Sequence, residues 1–365
     1  MDEIYMQMAL ELAKKGKGYV APNPLVGAVI VKNGKVIGQG YHEAFGGPHA
    51  EVNAISSATE DVAGATIYVT LEPCSHVGKT PPCSELLIEK QIKKVVVSMV
   101  DPNPLVAGKG LERLKKAGIE VVTGVLEKKS RTLNEVFLSY ILSNRPFVVM
   151  KTAMSLDGKI ATVTGESKWI SGEKSREQVH KLRHELTGIM VGVETVIEDD
   201  PQLTSRLPGS KNPIRIVVDS RLKIPLSSKV LQHQDEAKTI VATTEEADVE
   251  KMEALKKADV EVLVTEDLSG RVHLGELMAV LGATGIDSIL LEGGATINFS
   301  ALEAGIVDKI QAYIAPIVIG GKMAKTPVEG NGIEKLSQAF HIEHLSVERV
   351  GEDMFIEGYV KKEVE

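Results

Sequence analysis

Residues 48–55, PHAEVNAI, and residues 70–83, TLEPCSHVGKTPPC, decide how this chain is read. In the first, Pro48 precedes a helical run that opens on His49 and Glu51. The second closes an apolar, β-branched run, ATIYVTLEP, which reads as a buried strand. Zinc takes His nitrogen and Cys sulfur in tetrahedral sets, and a catalytic site keeps three protein ligands and one open position. His49, Cys74 and Cys83 supply three such ligands. Glu51, two residues past the His, is left to move protons. Thr80-Pro81-Pro82 before Cys83 marks a helix start with Thr80 near the cap, where the positive helix end favours a thiolate. A plainer reading is a closed structural site, with His76 or His42 as the spare candidate for a fourth ligand. Such a site has no use for a free Glu51.

The composition suits such an enzyme. A chain of 365 residues implies about two or three domains. Its 43% apolar and 25% charged residues are ordinary for a globular protein. Only two cysteines are present, both in the quoted stretch, so a disulfide framework is not expected. The formal net charge of −8 argues against a nucleic-acid partner, which would want a basic face. The N-terminus opens acidic without a signal pattern, and no apolar run is long enough to span a bilayer. A cytoplasmic protein with no membrane partner is expected.

Outward from the quoted stretch, the pattern alternates. Residues 3–15 carry apolar positions at helical spacing, ended by Gly16 and Gly18. GAVIVK and KVIGQGYH flank Asn33-Gly34, a two-residue hairpin signal. Asn23, between two prolines, sits on a stiff loop, either as a plain turn residue or as an amide aimed at a substrate. A helix over SELLIEKQI, a strand in KKVVVSMV, a helix and strand in GKGLERLKKAGIEVVTG and one amphipathic helix over 127–143 complete an α/β layered domain. Asn144-Arg145-Pro146 reads as the break, giving domains 1–144 and 145–365. Beyond it, strands in RPFVVMKTAMS, GIMVGVETV, NPIRIVVDS, KTIVATT, VEVLVT, DSILLEGG and KIQAYIAPIVIGG alternate with helices, as in a largely parallel sheet. LEGGATINFSALE is a strand, glycines and a helix start. It reads equally as a phosphate-binding junction or a tight turn, and it is not the G-x-G-x-x-G fingerprint.

H-x-E followed by Pro-Cys and a second Cys is a pattern of zinc nucleobase deaminases, whose cysteine spacer is normally two residues. Here the spacer is SHVGKTPP. With NPLVGAVIV, the G-x-G-Y-H turn and CSHVGKTPPC, the chain resembles the bacterial bifunctional riboflavin-biosynthesis enzymes over essentially its whole length. The resemblance implies a cytidine-deaminase-like α/β/α layered domain followed by a dihydrofolate-reductase-like α/β domain. It implies zinc-dependent deamination of 2,5-diamino-6-ribosylamino-4(3H)-pyrimidinone 5′-phosphate, then NADPH-dependent reduction to 5-amino-6-ribitylaminouracil 5′-phosphate. Glu51 would shuttle protons, and Asn23, His42 and Lys79 would touch the substrate. Two alternatives are a nucleoside or tRNA deaminase with an unrelated C-terminal domain, and an inactive zinc-binding module.

In the second half, MKTAMSLDGKIA, SKWIS, VGVETVIEDDPQLTSR and LEGG resemble the reductase domain of those enzymes. The resemblance implies that NADPH lies along Ala153, Trp169, Thr195, Asp199 and the run Gly294, Ala295, Thr296, Ile297, Asn298, Phe299 and Ser300. It implies substrate contacts from Ser167, Arg183, Leu203, Arg206 and Glu292. Arginines suit a phosphate because the guanidinium binds it with two N–H groups. Arg183 reads alternatively as part of a solvated helix face, and Trp169 as a core aromatic. Lys151, Asp199 and Glu292 are the candidates for proton transfer or electrostatic work in the reduction. The family also tends to assemble as homo-oligomers through this domain.

Overall fold

The computed structural model describes residues 1–75, 82–103, 107–266 and 268–362. It divides into two compact units, Met1–Asn144 and Arg145–Glu365.

In the first unit, strands β1 (Gly27–Lys32), β2 (Lys35–Tyr41), β3 (Thr66–Leu71), β4 (Lys94–Met99) and β5 (Glu120–Thr123) form a sheet of order β2-β1-β3-β4-β5. The β2–β1–β3 pairs are antiparallel and β3–β4–β5 parallel. Asn33 and Gly34 join β1 to β2 with φ of 50° and 77°, the left-handed pair that a two-residue hairpin turn requires. Strand side chains alternate between faces. Ile30, Ile67, Val95 and Val97 pack beneath α2 (Ala50–Ser56), α3 (Cys83–Glu89) and α4 (Lys109–Lys116). Val29, Tyr68 and Val96 face Met6 and Ala9 of α1 (Asp2–Lys14) on the other side. The layers are therefore α/β/α.

Two expectations are corrected here. Gly38-Gln39-Gly40 is not a turn but the middle of β2. Both glycines let α2 lie directly on the strand: a Cβ at Gly38 would sit 2.4 Å from the Ala54 carbonyl oxygen, and one at Gly40 2.4 Å from the Ala54 nitrogen. Residues 127–143 are two helices, α5 (Glu127–Leu133) and α6 (Glu135–Ser143). The chain breaks at Asn134, whose amide accepts from Leu25 N at 2.8 Å and donates to Leu25 O at 3.0 Å.

The second unit has one sheet among its described residues, of order β10-β9-β8-β7-β11-β6-β12-β14-β13. Its strands are β6 (Phe147–Ser155), β7 (Gly188–Gly192), β8 (Ile214–Val218), β9 (Thr239–Thr244), β10 (Glu261–Thr265), β11 (Ser288–Leu291), β12 (Lys309–Ala315), β13 (Ile342–Val350) and β14 (Asp353–Val360). All neighbours from β10 to β12 are parallel. Parallel strands are covered on both faces and so read as unbroken apolar runs, as in Ile289, Leu290 and Leu291. The helices are α7 (Glu173–Glu185), α8 (Val193–Asp199), α9 (Val249–Lys257), α10 (Leu274–Ala283) and α11 (Ala295–Glu303). GIMVGVETV is therefore not all strand: β7 stops at Gly192 and α8 begins. The antiparallel β13–β14 hairpin has no counterpart in the expected pattern. No described helix is long and apolar enough to cross a membrane.

Candidate active site

The sheet of the first unit brings three potential metal ligands to one point. His49 caps the N-terminus of α2, Cys83 is the first residue of α3, and Cys74 follows the end of β3. His49 Nδ1 lies 3.3 Å from Cys83 Sγ and 3.6 Å from Cys74 Sγ. All three ligand atoms fall within 4.8 Å of one another. A tetrahedral zinc would set about 3.5 Å between a nitrogen and a sulfur ligand, so the donor set and its spacing fit that ion. No fourth His, Cys, Asp or Glu joins the cluster among the described residues. His42 is engaged elsewhere, and His76, Lys79 and Thr80 lie outside the described residues.

The electrostatics suit a cation. The Cys74 thiol is held well below its usual range by its hydrogen bond with Cys83, with His49 and the Cys83 N–H (3.2 Å) adding to the effect against burial. The Cys83 thiol is pushed up, because it donates to Cys74 and is buried. Zinc would bind both sulfurs as thiolates, releasing their protons. Glu51 is 3% exposed, and burial pushes its carboxyl up to about 7. A carboxyl near its midpoint at neutral pH can both accept and donate a proton. Asn23 and His42 are hydrogen-bonded at 3.1 Å, and the His42 ring stands edge-on to His49 at 5.8 Å between centroids.

The second unit gathers its charges at the C-terminal end of β11. Leu291 pairs with Met150, so Glu292 follows at the level of Lys151 on β6. Arg183, on α7, donates Nε and Nη2 to the two Glu292 oxygens at 2.7 and 2.9 Å and Nη1 to the Thr204 carbonyl at 3.0 Å. Burial would raise the Glu292 pKa, but Arg183 outweighs it and holds the carboxyl below its usual range. Lys151 is lowered, because burial outweighs the attraction of Glu292. Its Nζ lies 6.0 Å from the centre of the Tyr313 ring. Arg206 is exposed, and Leu203 is buried with a φ of 55°.

Beside these residues opens a cleft of about 1030 Å³. Ser167, Thr195, Asp199, Glu292, Gly294, Ala295, Thr296, Ile297 and Ser300 line it, and Arg221, Lys223 and Arg271 add positive charge. Gly293 and Gly294 have φ of 112° and 84°, and a Cβ on Gly294 would sit 3.0 Å from Ile297. Their backbone forms a cradle at the N-terminus of α11, suited to a phosphate. The size of the cleft fits a dinucleotide, and its charged lining is mixed, with Lys223 beside Glu194 and Lys325 paired with Glu198. Four residues expected along the cofactor do not line it. The Asn298 side chain bonds the Pro327 carbonyl at 2.9 Å, and Phe299 packs against Phe340. Ala153 lies within β6. Trp169 is 65% exposed beneath the Arg176 guanidinium, so it is not a core aromatic either.

Comparison with known proteins places both units. Residues 1–99 match the cytidine and deoxycytidylate deaminase zinc-binding region, and residues 146–356 match the RibD C-terminal domain. The riboflavin biosynthesis protein RibD of Actinobacillus pleuropneumoniae is 52% identical over 98% of this chain and 94% of its own length. The chain belongs to the RibD family. The Escherichia coli RibD is 40% identical over 97% of this chain and 98% of its own. RibD of Acinetobacter baumannii superposes with a TM-score of 0.88 at 38% identity, covering 99% of both chains. The Thermotoga maritima diaminohydroxyphosphoribosylaminopyrimidine deaminase/5-amino-6-(5-phosphoribosylamino)uracil reductase superposes with a TM-score of 0.85 at 39% identity, again covering 99% of both chains. As a RibD, this chain is a bifunctional riboflavin-biosynthesis enzyme, a zinc-binding deaminase fused to an NADPH-dependent reductase.

Two side chains at these RibD sites escaped the reading of the sequence. Glu72, 4% exposed, accepts from the backbone N–H groups of Gly108 (3.0 Å) and Gly110 (2.9 Å), and at longer range from Asp101 and Leu111. It pins the Pro73-Cys74 turn to the start of α4. An acid closing an apolar strand just before Pro-Cys was the available signal. His180 lies one helical turn before Arg183, its Nδ1 buried without a hydrogen-bond partner. Its i, i+3 spacing from Arg183 was the signal there.

Proposed function

We propose that the first unit takes the 2-amino group from 2,5-diamino-6-ribosylamino-4(3H)-pyrimidinone 5′-phosphate as ammonia, using His49, Cys74 and Cys83 as zinc ligands and Glu51 as the proton shuttle. The second unit then reduces the ribosyl chain of the product. The observation that carries the reading is the three-ligand cluster with a buried carboxyl beside it, held near neutrality. Zinc, when bound, supplies a water acidic enough to lose a proton at neutral pH. Glu51 would accept that proton and pass it to the ring nitrogen next to the carbon under attack, then take the proton of the newly added hydroxyl and give it to the amine, which leaves as ammonia while the carbonyl forms. Lys79 is the proposed partner of the substrate phosphate.

In the second unit, NADPH, when bound, would supply a hydride, and the residues lining the cleft would aim it at C1′ of the opened ribose. Glu292, kept ionised by Arg183, faces Lys151, which donates a proton more readily because burial disfavours its charged form. Asp199 and Ser167 border the same cleft, and Leu203 would pack against the substrate. With three N–H groups of Arg183 committed within the protein, the open guanidinium for the phosphate is Arg206. Thr195 and the backbone from Gly294 to Ser300 would hold the cofactor, with the N-terminus of α11 facing one of its phosphates.

The test is a coupled assay on the diaminopyrimidine phosphate that follows ammonia and NADPH separately. Ammonia should appear without NADPH, and NADPH should be consumed only after deamination. NADPH consumption from the undeaminated pyrimidine would sink the order of steps. The reading includes a cytoplasmic homo-oligomer that does not bind nucleic acid. The net charge of −8 supports the last point, and light scattering with and without RNA checks both.

A further inference from the structure

Lys151 and Tyr313 meet on one face of the second unit's sheet. β6 and β12 run in parallel, with Lys151 opposite Gln311 and Ala153 opposite Tyr313. Residues two apart on a strand share a face, so all four side chains point the same way. Gln311 is committed elsewhere: its Nε2 donates to Glu357 of β14 at 2.7 Å. The Lys151 ammonium makes no hydrogen bond among the described residues, and it lies over the Tyr313 ring, with Nζ 6.0 Å from the centroid. A ring face attracts a cation without taking up any of its N–H groups. A carboxylate in that place would fix at least one of the three donors, whereas the ring leaves all three for a ligand. Two charges bear on Lys151: Glu292, from the end of β11, favours the ammonium, and Arg183, from α7, opposes it. The ring itself is fixed. Tyr313 is 1% exposed, its centroid stands 4.9 Å from that of Phe355, and its hydroxyl donates to Gln178 Oε1 at 3.2 Å. Burial keeps that hydroxyl protonated. Gln178 belongs to α7, the helix whose Arg183 grips both oxygens of Glu292. The start of α7 is anchored in turn, because Asp353 of β14 accepts from Gly172 N at 2.8 Å and from Ser175 Oγ at 2.5 Å. One helix therefore fixes both members of the pair, Glu292 through Arg183 and the seat of Lys151 through Gln178 and Tyr313.

We infer that Tyr313 is a positioning residue for the reduction: its ring seats the Lys151 ammonium with the N–H groups open, and its hydroxyl ties that seat through Gln178 to α7. Tyr313 does not line the cleft, so it acts through Lys151. The effect on turnover rests on the reading of Lys151 as a group that acts in the reduction, whereas the seating of the ammonium does not.

Spectra of the full-length, zinc-loaded enzyme labelled with ¹³Cε lysine report the seat, with Lys151→Met assigning the resonance. Pentafluorophenylalanine placed at position 313 has nearly the shape of the side chain in Tyr313→Phe but lacks the negative ring face. Relative to Tyr313→Phe, it should move the Lys151 titration down by about half a pH unit, because the ring favours the charged form. A titration that does not move overturns the seat. Kinetics on the deaminated pyrimidine, supplied directly with NADPH, test the tie. Tyr313→Phe and Gln178→Leu remove the same hydrogen bond. Each should lower kcat about fivefold and leave both KM values within about twofold, and the double variant should be no worse than either. Losses that multiply, or that fall on KM instead of kcat, overturn the tie. Tyr313→Leu removes the ring as well and should lower kcat about 10²-fold, the effect of roughly an ångström of misplacement. A rate equal to that of Tyr313→Phe overturns the inference. If the leucine variant does not fold, the fluorinated ring and the paired variants decide. If Lys151→Met reduces at the wild-type rate, the reading of Lys151 fails while the titration still decides the seat.

Discussion

At the scale of single residues, Glu51 carries the sharpest expectations. Glu51→Gln keeps the shape and the zinc ligands but removes the proton shuttle, so ammonia release should fall about 10²–10⁴-fold with zinc content unchanged. Release at the wild-type rate would remove Glu51 from the chemistry. The same carboxyl couples stability to pH. Its folded-state pKa, about 7, lies above the ordinary 4.5. Between those values the folded state holds the extra proton, so stability that is full below the unfolded value is lost as pH rises through about 7. The loss is on the order of 3 kcal/mol in metal-free protein. Hydrogen exchange in α2 should therefore find metal-free Glu51→Gln better protected than wild type at pH 8, with the difference vanishing near pH 4.5. The gathering of His49, Cys74 and Cys83 could be read in advance, because it is carried by residue type and spacing. Glu72 could not, and neither could the pairing of Arg183 with Glu292, because both depend on partners distant in the chain. Glu72 reaches Gly110, and Arg183 reaches Glu292, 109 positions away.

At the scale of elements, the site depends on how closely α2 lies on β2. Gly40→Ala would put a methyl group 2.4 Å from the Ala54 nitrogen, which backbone must move to accommodate. The expected cost is about 1–3 kcal/mol to the first unit. Because His49 caps the same helix, zinc affinity should fall in parallel, and titration with a competing chelator measures it. Unchanged affinity in Gly40→Ala would mean that α2 adjusts without moving its cap. Local signals served well for the elements where backbone chemistry decides the outcome, such as the Asn33-Gly34 hairpin. They failed where a distant group intervenes. Apolar spacing over 127–143 implied one helix, yet Asn134 takes up the backbone of Leu25 and divides it. The β13–β14 hairpin was hidden for another reason. β13 is exposed along most of its length and bulges between Glu343 and Ser346, so it carries no alternation to read.

At the scale of the whole molecule, the chain pairs two chemistries that share no residue. The proposed zinc ligands and Glu51 lie before Asn144, and Lys151, Arg183 and Glu292 lie after it. The boundary was readable because Asn144-Arg145-Pro146 interrupts the alternation of helices and strands. The function of the second unit was not readable from its residues alone, since a Gly-Gly junction after a strand is common to turns and phosphate sites. The separation leads to a reciprocal test on the full-length chain. Cys74→Ser removes one metal ligand and should abolish ammonia release, while NADPH-dependent reduction of the deaminated pyrimidine, supplied directly, stays within about twofold of wild type. Lys151→Met keeps the length of the side chain and removes a charge that burial already disfavours. It should slow reduction about 10²-fold or more and leave ammonia release untouched. Mixing the two variants should then restore conversion of the diaminopyrimidine phosphate to the ribityl product, because the deaminated intermediate made by one chain can be reduced by the other. Failure of the mixture, with each surviving activity intact, would mean that the intermediate does not leave the chain that makes it.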